Sequence, residues 1–328
     1  MERILVEDLV KFKMLPFDIY NDSGEKLISA GEILTSGKLL RISQYSELYK
    51  DTPKRSPKIQ TNENTDKQYI PPPVSHTKEI VFDKTVNKTS KIKAQAQVDM
   101  KSYYATTMFA VNNNENKDAA MMIDEIKTKI LSDIGNVIED VKFCSQLKLL
   151  GSYADCHSLN TAILATAFGY KMEYDSDIIA KITKSALLHD IGMTRIPEDL
   201  LKKTNPSSQE TKIIQSHTQI GYKILKLDMN MPEDICLVAL EHHENNDGSG
   251  YPFKLSGEQI SELSRVVGMC SFFDDLTSGK TTYKVKNTKE ALRVMLEVGS
   301  KRFFPELLYK FVNTFNYNDL STFEEMMQ

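Results

Sequence analysis

The chain has 328 residues, with 41 Lys and Arg against 45 Asp and Glu, and a formal net charge of -4 with histidine neutral. That length suits one large domain and a smaller one. The acidic balance, without a basic stripe, excludes duplex nucleic acid as the main partner, because neutralising phosphates needs clustered Lys and Arg.

The N-terminus, "MERILVEDLVKFK", carries acids where a signal peptide would have an apolar core, and the longest apolar runs are as short as "ICLVAL" at 235–240. A soluble cytoplasmic protein that does not cross a membrane is expected. Residues 1–50 read as a small α+β module: "FDIYNDSGEKLISAGEIL" has the apolar spacing and "NDSG" turn of a β-hairpin, and "SGKLLRISQYSELY" reads as helical. Residues 51–100 turn to Lys, Thr, Asn, Gln and Pro, with "PPP" at 71–73, and read as a polar linker with a short strand at "EIVFD". From 101 to 328 apolar residues recur at helical spacing, as in "DIIAKITKSALLHD" and "PEDICLVALEHHE", so the fold class is mainly α: a helical bundle preceded by the small module. Cys144, Cys156, Cys236 and Cys270 form no CxxC pair, which suits reduced, mostly buried thiols rather than a disulfide frame.

Of six histidines, His157, His189, His217, His242 and His243 fall in the helical region, and His76 alone lies in the linker. A bundle builds metal sites from side chains on facing helices, so these five are candidate ligands, whereas any one of them alone would be read as a satisfied core residue. Asp190 follows His189 directly, and a carboxylate has two oxygens with which to bridge two ions. Paired divalent ions of this kind attack phosphate esters. A nitrogen and oxygen donor set suits iron, manganese or zinc and does not choose among them. Other polar stretches read as structure. "DGSG" at 247–250 lacks the Lys-Ser/Thr ending of a phosphate loop, the acids of "NNDGSGYPFKLSGE" miss the alternating positions of a calcium loop, and the Met-rich "AAMMIDEIKTKIL" reads as core.

"HDIGMTRIP", "HTQIG" and "HHENNDGSGYP", in this order, resemble the HD-GYP phosphodiesterases. The resemblance runs from "YADCHSLN" around His157 through "SRVVGMCSFFDDLTS" to "KRFFPELL", about residues 150–310. It implies a helical HD-type domain that hydrolyses cyclic di-GMP with two or three metal ions, often iron or manganese, through a hydroxide held between ions. It also implies His157, His189, Asp190, His217, His242 and His243 as ligands, with Asp190 bridging. Gly250, Tyr251 and Pro252 fall on the signature turn, which is linked in the family to diguanylate cyclase (GGDEF) domains and, through Tyr251, to substrate.

Four departures from the family pattern shape the expectations. Met193 stands where a phosphate-binding lysine is usual, and Arg195, two residues on, replaces it only if the helix end rearranges. Ser271 stands at the position of an aspartate ligand, so the shell is expected to be completed by water, Asp274 or a small anion, with Asp274 a candidate catalytic and metal residue. Ser152 and Tyr153 occupy the stretch where three-metal members carry a glutamate, which points to two ions. Lys280 stands for a substrate-binding arginine and keeps the charge without the bidentate fork. These losses predict low activity, and the alternative is a cyclic di-GMP-sensing or cyclase-interacting module with little turnover.

Overall fold

A computed structural model describes residues 1–51 apart from 10, 11, 13, 43, 44 and 46, then 94–137, then 153–315 apart from 282, 284 and 286. His76, the "PPP" run, the strand expected in "EIVFD", Cys144 and Ser152 lie outside the described residues. The chain divides into two compact units.

The first unit contains β1 (Glu2–Ile4), α1 (Val6–Leu9), β2 (Ile19–Asn21), β3 (Lys26–Ile28), the end of α2 (Ser36–Ile42), whose residues 36–39 are grouped with the second unit, and β4 (Leu48–Lys50). Its four strands form one antiparallel sheet in the order β1-β4-β2-β3. The expected hairpin is β2–β3. Gly24 takes φ +78°, and its N–H bonds Asn21 O at 3.1 Å, while the Asn21 side chain accepts the Glu25 N–H at 2.8 Å. Glycine enters that backbone region without steric cost. The second expectation is corrected: the stretch read as one helix ends in β4, because Leu48–Lys50 supplies the ladder between β1 and β2, with Tyr49 opposite both Arg3 and Tyr20. Tertiary pairing overrides the local helical pattern there.

The second unit is helical: α3 (Ala94–Asn112), α4 (Asn116–Val137), α5 (Tyr153–Lys171), α6 (Ser176–Leu188), α7 (Glu198–Leu201), α8 (Ser208–Gln215), α9 (His217–Lys223), α10 (Glu233–Glu241), α11 (Glu262–Thr277), α12 (Thr288–Arg302) and α13 (Pro305–Asn313). α3 thus begins within the stretch read as linker. No helix among the described residues is long and apolar enough to cross a membrane. Cys156, Cys236 and Cys270 are buried and not in disulfides.

The central helix is α5, which packs against α3, α4, α6 and α11. Leu159, Ala162, Ile163, Leu164, Ala165, Ala167 and Phe168 are all fully buried, as a helix apolar on every side must be. Within it Thr166 donates to Ala162 O at 2.6 Å and meets Thr183 of α6 at 2.7 Å, whereas the buried Thr161 hydroxyl has no partner among the described residues. Asp175 caps α6 by accepting the Ile178 N–H at 2.9 Å, and Pro305 opens α13 at a position that needs no N–H donor. α13 closes the bundle with an aromatic cluster, Phe311 lying 5.4 Å from Phe168 and 5.6 Å from Phe273 between ring centroids. Each such buried ring contributes about 1.5–3 kcal/mol, so this end of the unit is a firm base for the elements that carry the site.

Candidate metal centre

The candidate ligands sit at helix ends, where the local chain aims them inward. His189 is the C-cap of α6, Asp190 follows it, His217 opens α9, His242 is the C-cap of α10, His243 follows, and His157 lies near the start of α5. Three rings are held by the preceding turn of their own chain. Nδ1 lies 2.8 Å from Ala186 O for His189, 2.7 Å from Ile214 O for His217, and 3.1 Å from both Val238 O and Ala239 O for His242. A helix leaves its last carbonyls without backbone partners, so a histidine at the end satisfies one of them. A carbonyl only accepts, so Nδ1 carries the proton and Nε2 offers a lone pair. His157 is fixed likewise, its Nδ1 donating to Asp274 Oδ2 at 2.8 Å.

The four lone pairs converge. Nε2 of His157 lies 3.3 Å from Nε2 of His189, and Nε2 of His217 lies 3.4 Å from Nε2 of His242. With Nδ1 carrying the proton, a neutral pair has no hydrogen between its Nε2 atoms, and a cation standing against both lone pairs relieves the contact. Asp190 lies between the pairs. Its Oδ1 is 3.3 Å from His217 and 3.4 Å from His242, while its Oδ2 is 3.5 Å from His189 and 3.7 Å from His157. Asp190 Oδ1 is buried without a hydrogen-bond partner among the described residues, an arrangement that a buried carboxylate oxygen rarely keeps without an ion or water.

Two donor groups result: Asp190, His217, His242 and His243; and His157, His189 and Asp190. Asp190 belongs to both. The protonation states suit ligation. Burial pulls His189 down to about 3 and lowers His242 and His243, so these rings are neutral at pH 7. Burial opposes the charge of Asp190, yet the facing histidines hold its carboxyl well below the usual range. Burial also works against a charged His157, but its hydrogen bond to Asp274 and the fields of Asp275 and Asp190 outweigh it and raise its pKa. The ends of α6 and α10, each carrying negative helix-dipole charge, meet the cluster as well. The residues therefore fit divalent cations bound through nitrogen and oxygen.

The surroundings hold the backbone close. A Cβ on Gly192 would stand 2.0 Å from His217 O and 2.6 Å from Gly221 N, so only glycine lets the turn after Asp190 reach α9. A Cβ on Gly250 would stand 2.4 Å from Asn245 N and 2.5 Å from His243 O. Tyr251 then stacks on His243, with centroids 4.7 Å apart and planes at 21°, and the Tyr251–Pro252 bond is cis.

Other expected residues fall elsewhere. Asp274 is in neither donor group: it holds the outer edge of the His157 ring, whereas Ser271 Oγ lies 3.3 Å from the inner Nε2. Three residues along a helix shift a side chain about 4.5 Å along the axis, which is enough to exchange ring edges. Arg195 donates to Asn112 O, Val111 O and Asn114 Oδ1, at 3.2, 3.2 and 2.9 Å, so it ties the turn after Asp190 to the end of α3. Met193 lies in that same 3₁₀ turn. Lys280 is exposed beyond the end of α11, outside both donor groups.

Sequence reasoning missed the residues that brace the histidine pair. Glu241 accepts the Ser261 N–H at 2.9 Å, and Glu244 accepts those of Phe253 and Leu255 at 2.7 and 2.9 Å. Burial lifts Glu244 to about 7 despite those bonds. The acids flanking "HH" in "EHHE" were the available signal. Tyr104 of α3, bonded to Leu187 O at 2.9 Å, left no such trace.

A family model described as "HD domain" matches residues 144–307. The chain is 32% identical over 196 residues to a cyclic di-GMP phosphodiesterase of Pseudomonas aeruginosa, covering 59% of this chain and 46% of that protein. It is 33% identical over 174 residues to the cyclic di-GMP phosphodiesterase PdeB of Borreliella burgdorferi, covering 53% and 46%. Against a 3'3'-cGAMP-specific phosphodiesterase of Vibrio cholerae it is 29% identical over 197 residues, covering 59% and 36%. The chain thus spans less than half the length of these curated relatives. Because the matched stretch contains both donor groups and the "HHENNDGSGYP" segment, the chain belongs to the HD domain family, in its HD-GYP branch.

Proposed function

We propose that this chain is a metal-dependent phosphodiesterase that hydrolyses the bacterial second messenger cyclic di-GMP in the cytoplasm, with residues 1–50 a separate module ahead of a helical catalytic domain. The observation that carries the reading is the division of Asp190, whose two oxygens face different histidine pairs. The named activities of the relatives support the substrate class. His217, His242 and His243 would hold one divalent ion and His157 and His189 the other, with Asp190 shared; iron or manganese suits this thiolate-free set, and zinc is accepted by it. When bound, such ions supply Lewis acidity for phosphoryl oxygens and lower the pKa of attacking water.

The chain's own residues keep the site in working form. The neutral rings keep Nε2 lone pairs inward, Asp190 stays charged, and Asp274 orients His157 in the manner of a carboxylate behind a metal-bound imidazole. Asp274 is therefore a positioning residue in this reading. Tyr251, flat against His243, offers an aromatic surface beside the cluster.

A second reading, a cyclic di-GMP-sensing or cyclase (GGDEF)-interacting module with little turnover, is favoured by two observations. Ser271 is a weak donor on the inner edge of His157, and Met193 and the engaged Arg195 leave that turn without a free cation. The deciding experiment incubates manganese- or iron-loaded protein with cyclic di-GMP and with 3'3'-cGAMP, followed by product chromatography and a binding titration. Turnover lost in His189→Ala and Asp190→Ala supports the enzyme, tight binding without product supports the sensor, and neither binding nor turnover sinks both.

A further inference from the structure

We infer that Arg302 is a substrate-contacting residue that takes a phosphodiester oxygen of the cyclic dinucleotide beside the metal cluster. The inference rests on the functional reading above.

Arg302 ends α12, and its guanidinium carbon lies 3.9 Å from the centre of the Phe272 ring and 5.9 Å from that of Phe303. Phe272 follows Ser271 on α11, so this platform is continuous with the helix that meets His157. Arg302 lines one cavity with His242, Glu244 and Asn246, and the charge of Asp275 acts on it. Asp275 Oδ1 is itself 3.7 Å from His157 Nδ1. Arg302 therefore stands beside His242 of one donor group and feels the charge of Asp275, a neighbour of His157.

Its main chain is stitched to the loop after the histidine pair. The Asn246 N–H donates to Arg302 O at 3.1 Å, the Asp247 N–H to Lys301 O at 2.9 Å, and the Asn246 amide to Ser300 O at 2.8 Å. Such anchoring presets the direction in which the side chain leaves.

The guanidinium nevertheless makes no carboxylate ion pair or hydrogen bond among the described residues; the ring of Phe272 is its direct partner. Burial lowers its pKa from the ordinary value, so the charge is incompletely compensated. The guanidinium carbon sits over the Phe272 ring, a contact that needs none of the N–H donors, and a fork of two such donors matches two phosphate oxygens. Arg195, by contrast, has spent its donors on α3.

The test uses the full chain loaded with manganese and measures the Kd for cyclic di-GMP, together with metal content, Tm, kcat and KM. Arg302→Met should weaken binding about 10- to 100-fold, the worth of a hydrogen bond to a charged group, with metal content unchanged and KM raised more than kcat is lowered. Arg302→Lys, which keeps the charge and loses the fork, should fall between. A merely structural arginine would lower Tm and leave Kd as in the wild type. Wild-type Kd in both variants, or in Arg302→Lys alone if Arg302→Met does not fold, overturns the inference. If the wild type neither binds nor cleaves the dinucleotide, the functional reading has failed and the inference falls with it.

Discussion

Asp274 Oδ2 lies 2.8 Å from Nδ1 of His157, on the ring edge opposite the nitrogen that faces His189. The carboxylate therefore fixes which nitrogen of His157 is free and which way the ring points. Removing it in Asp274→Ala should weaken metal binding about 10- to 100-fold, the usual loss when a residue behind a ligand is deleted. Asp274→Asn, whose carbonyl still accepts from Nδ1, should lose less. Metal titration of both variants checks this, and equal affinity in Asp274→Ala and the wild type would remove the role assigned to Asp274.

Asp190 serves both donor groups, so Asp190→Ala should lower the bound metal from two ions per chain to one or none. His217→Ala should affect chiefly the His217, His242 and His243 group. Elemental analysis after dialysis distinguishes these outcomes. A wild-type chain that holds two ions and an Asp190→Ala chain that also holds two would contradict a shared carboxylate.

Chelation should destabilise the protein, because it leaves two facing nitrogen pairs and a buried carboxylate oxygen without a counter-charge. For an ion at a thousandfold excess over its Kd the linkage is about 4 kcal/mol. Thermal unfolding with and without chelator gives the measurement, and an unchanged Tm would mean that the cluster is stable without ions.

Gly192→Ala tests the close approach of the turn after Asp190 to α9. A Cβ at 2.0 Å from His217 O forces the two backbones apart. Overpacking of this kind costs about 1–3 kcal/mol or more, and the displacement would carry Asp190 and His217 with it. A lower Tm together with lost metal is expected; native Tm and metal content would contradict the packing described.

Glu210 completes the capping box of α8, the helix leading to His217: it accepts the Ser207 N–H at 2.9 Å and the Lys203 ammonium at 2.6 Å. The Lys203 bond, first, and the Ser207 bond hold its pKa at about 2, against an ordinary 4.5. Because the folded value is the lower one, its contribution to stability is present above the unfolded pKa and is lost as pH falls from 4.5 through about 2. A carboxyl NMR titration should place the midpoint near 2 in the wild type, and Lys203→Ala should move it upward.

The elements show how far local pattern reaches. The "NDSG" hairpin was legible because its turn chemistry is local, whereas β4 was not, since its pairing with β1 and β2 lies far along the chain. Likewise α6 and α10, with histidines at their C-terminal ends, follow from apolar spacing alone.

The sequence by itself determined the donor types, the placement of five histidines and Asp190 at or near helix ends, and the turn that follows His243, because each depends on residues only a few positions apart. The tertiary structure decided the rest: that Asp190 divides its oxygens between two histidine pairs, that Asp274 meets the outer and Ser271 the inner edge of His157, that Arg195 is drawn to α3, and that Arg302 packs on Phe272. These outcomes depend on how helices distant in sequence are rotated about their axes, and packing in the shared core sets that rotation.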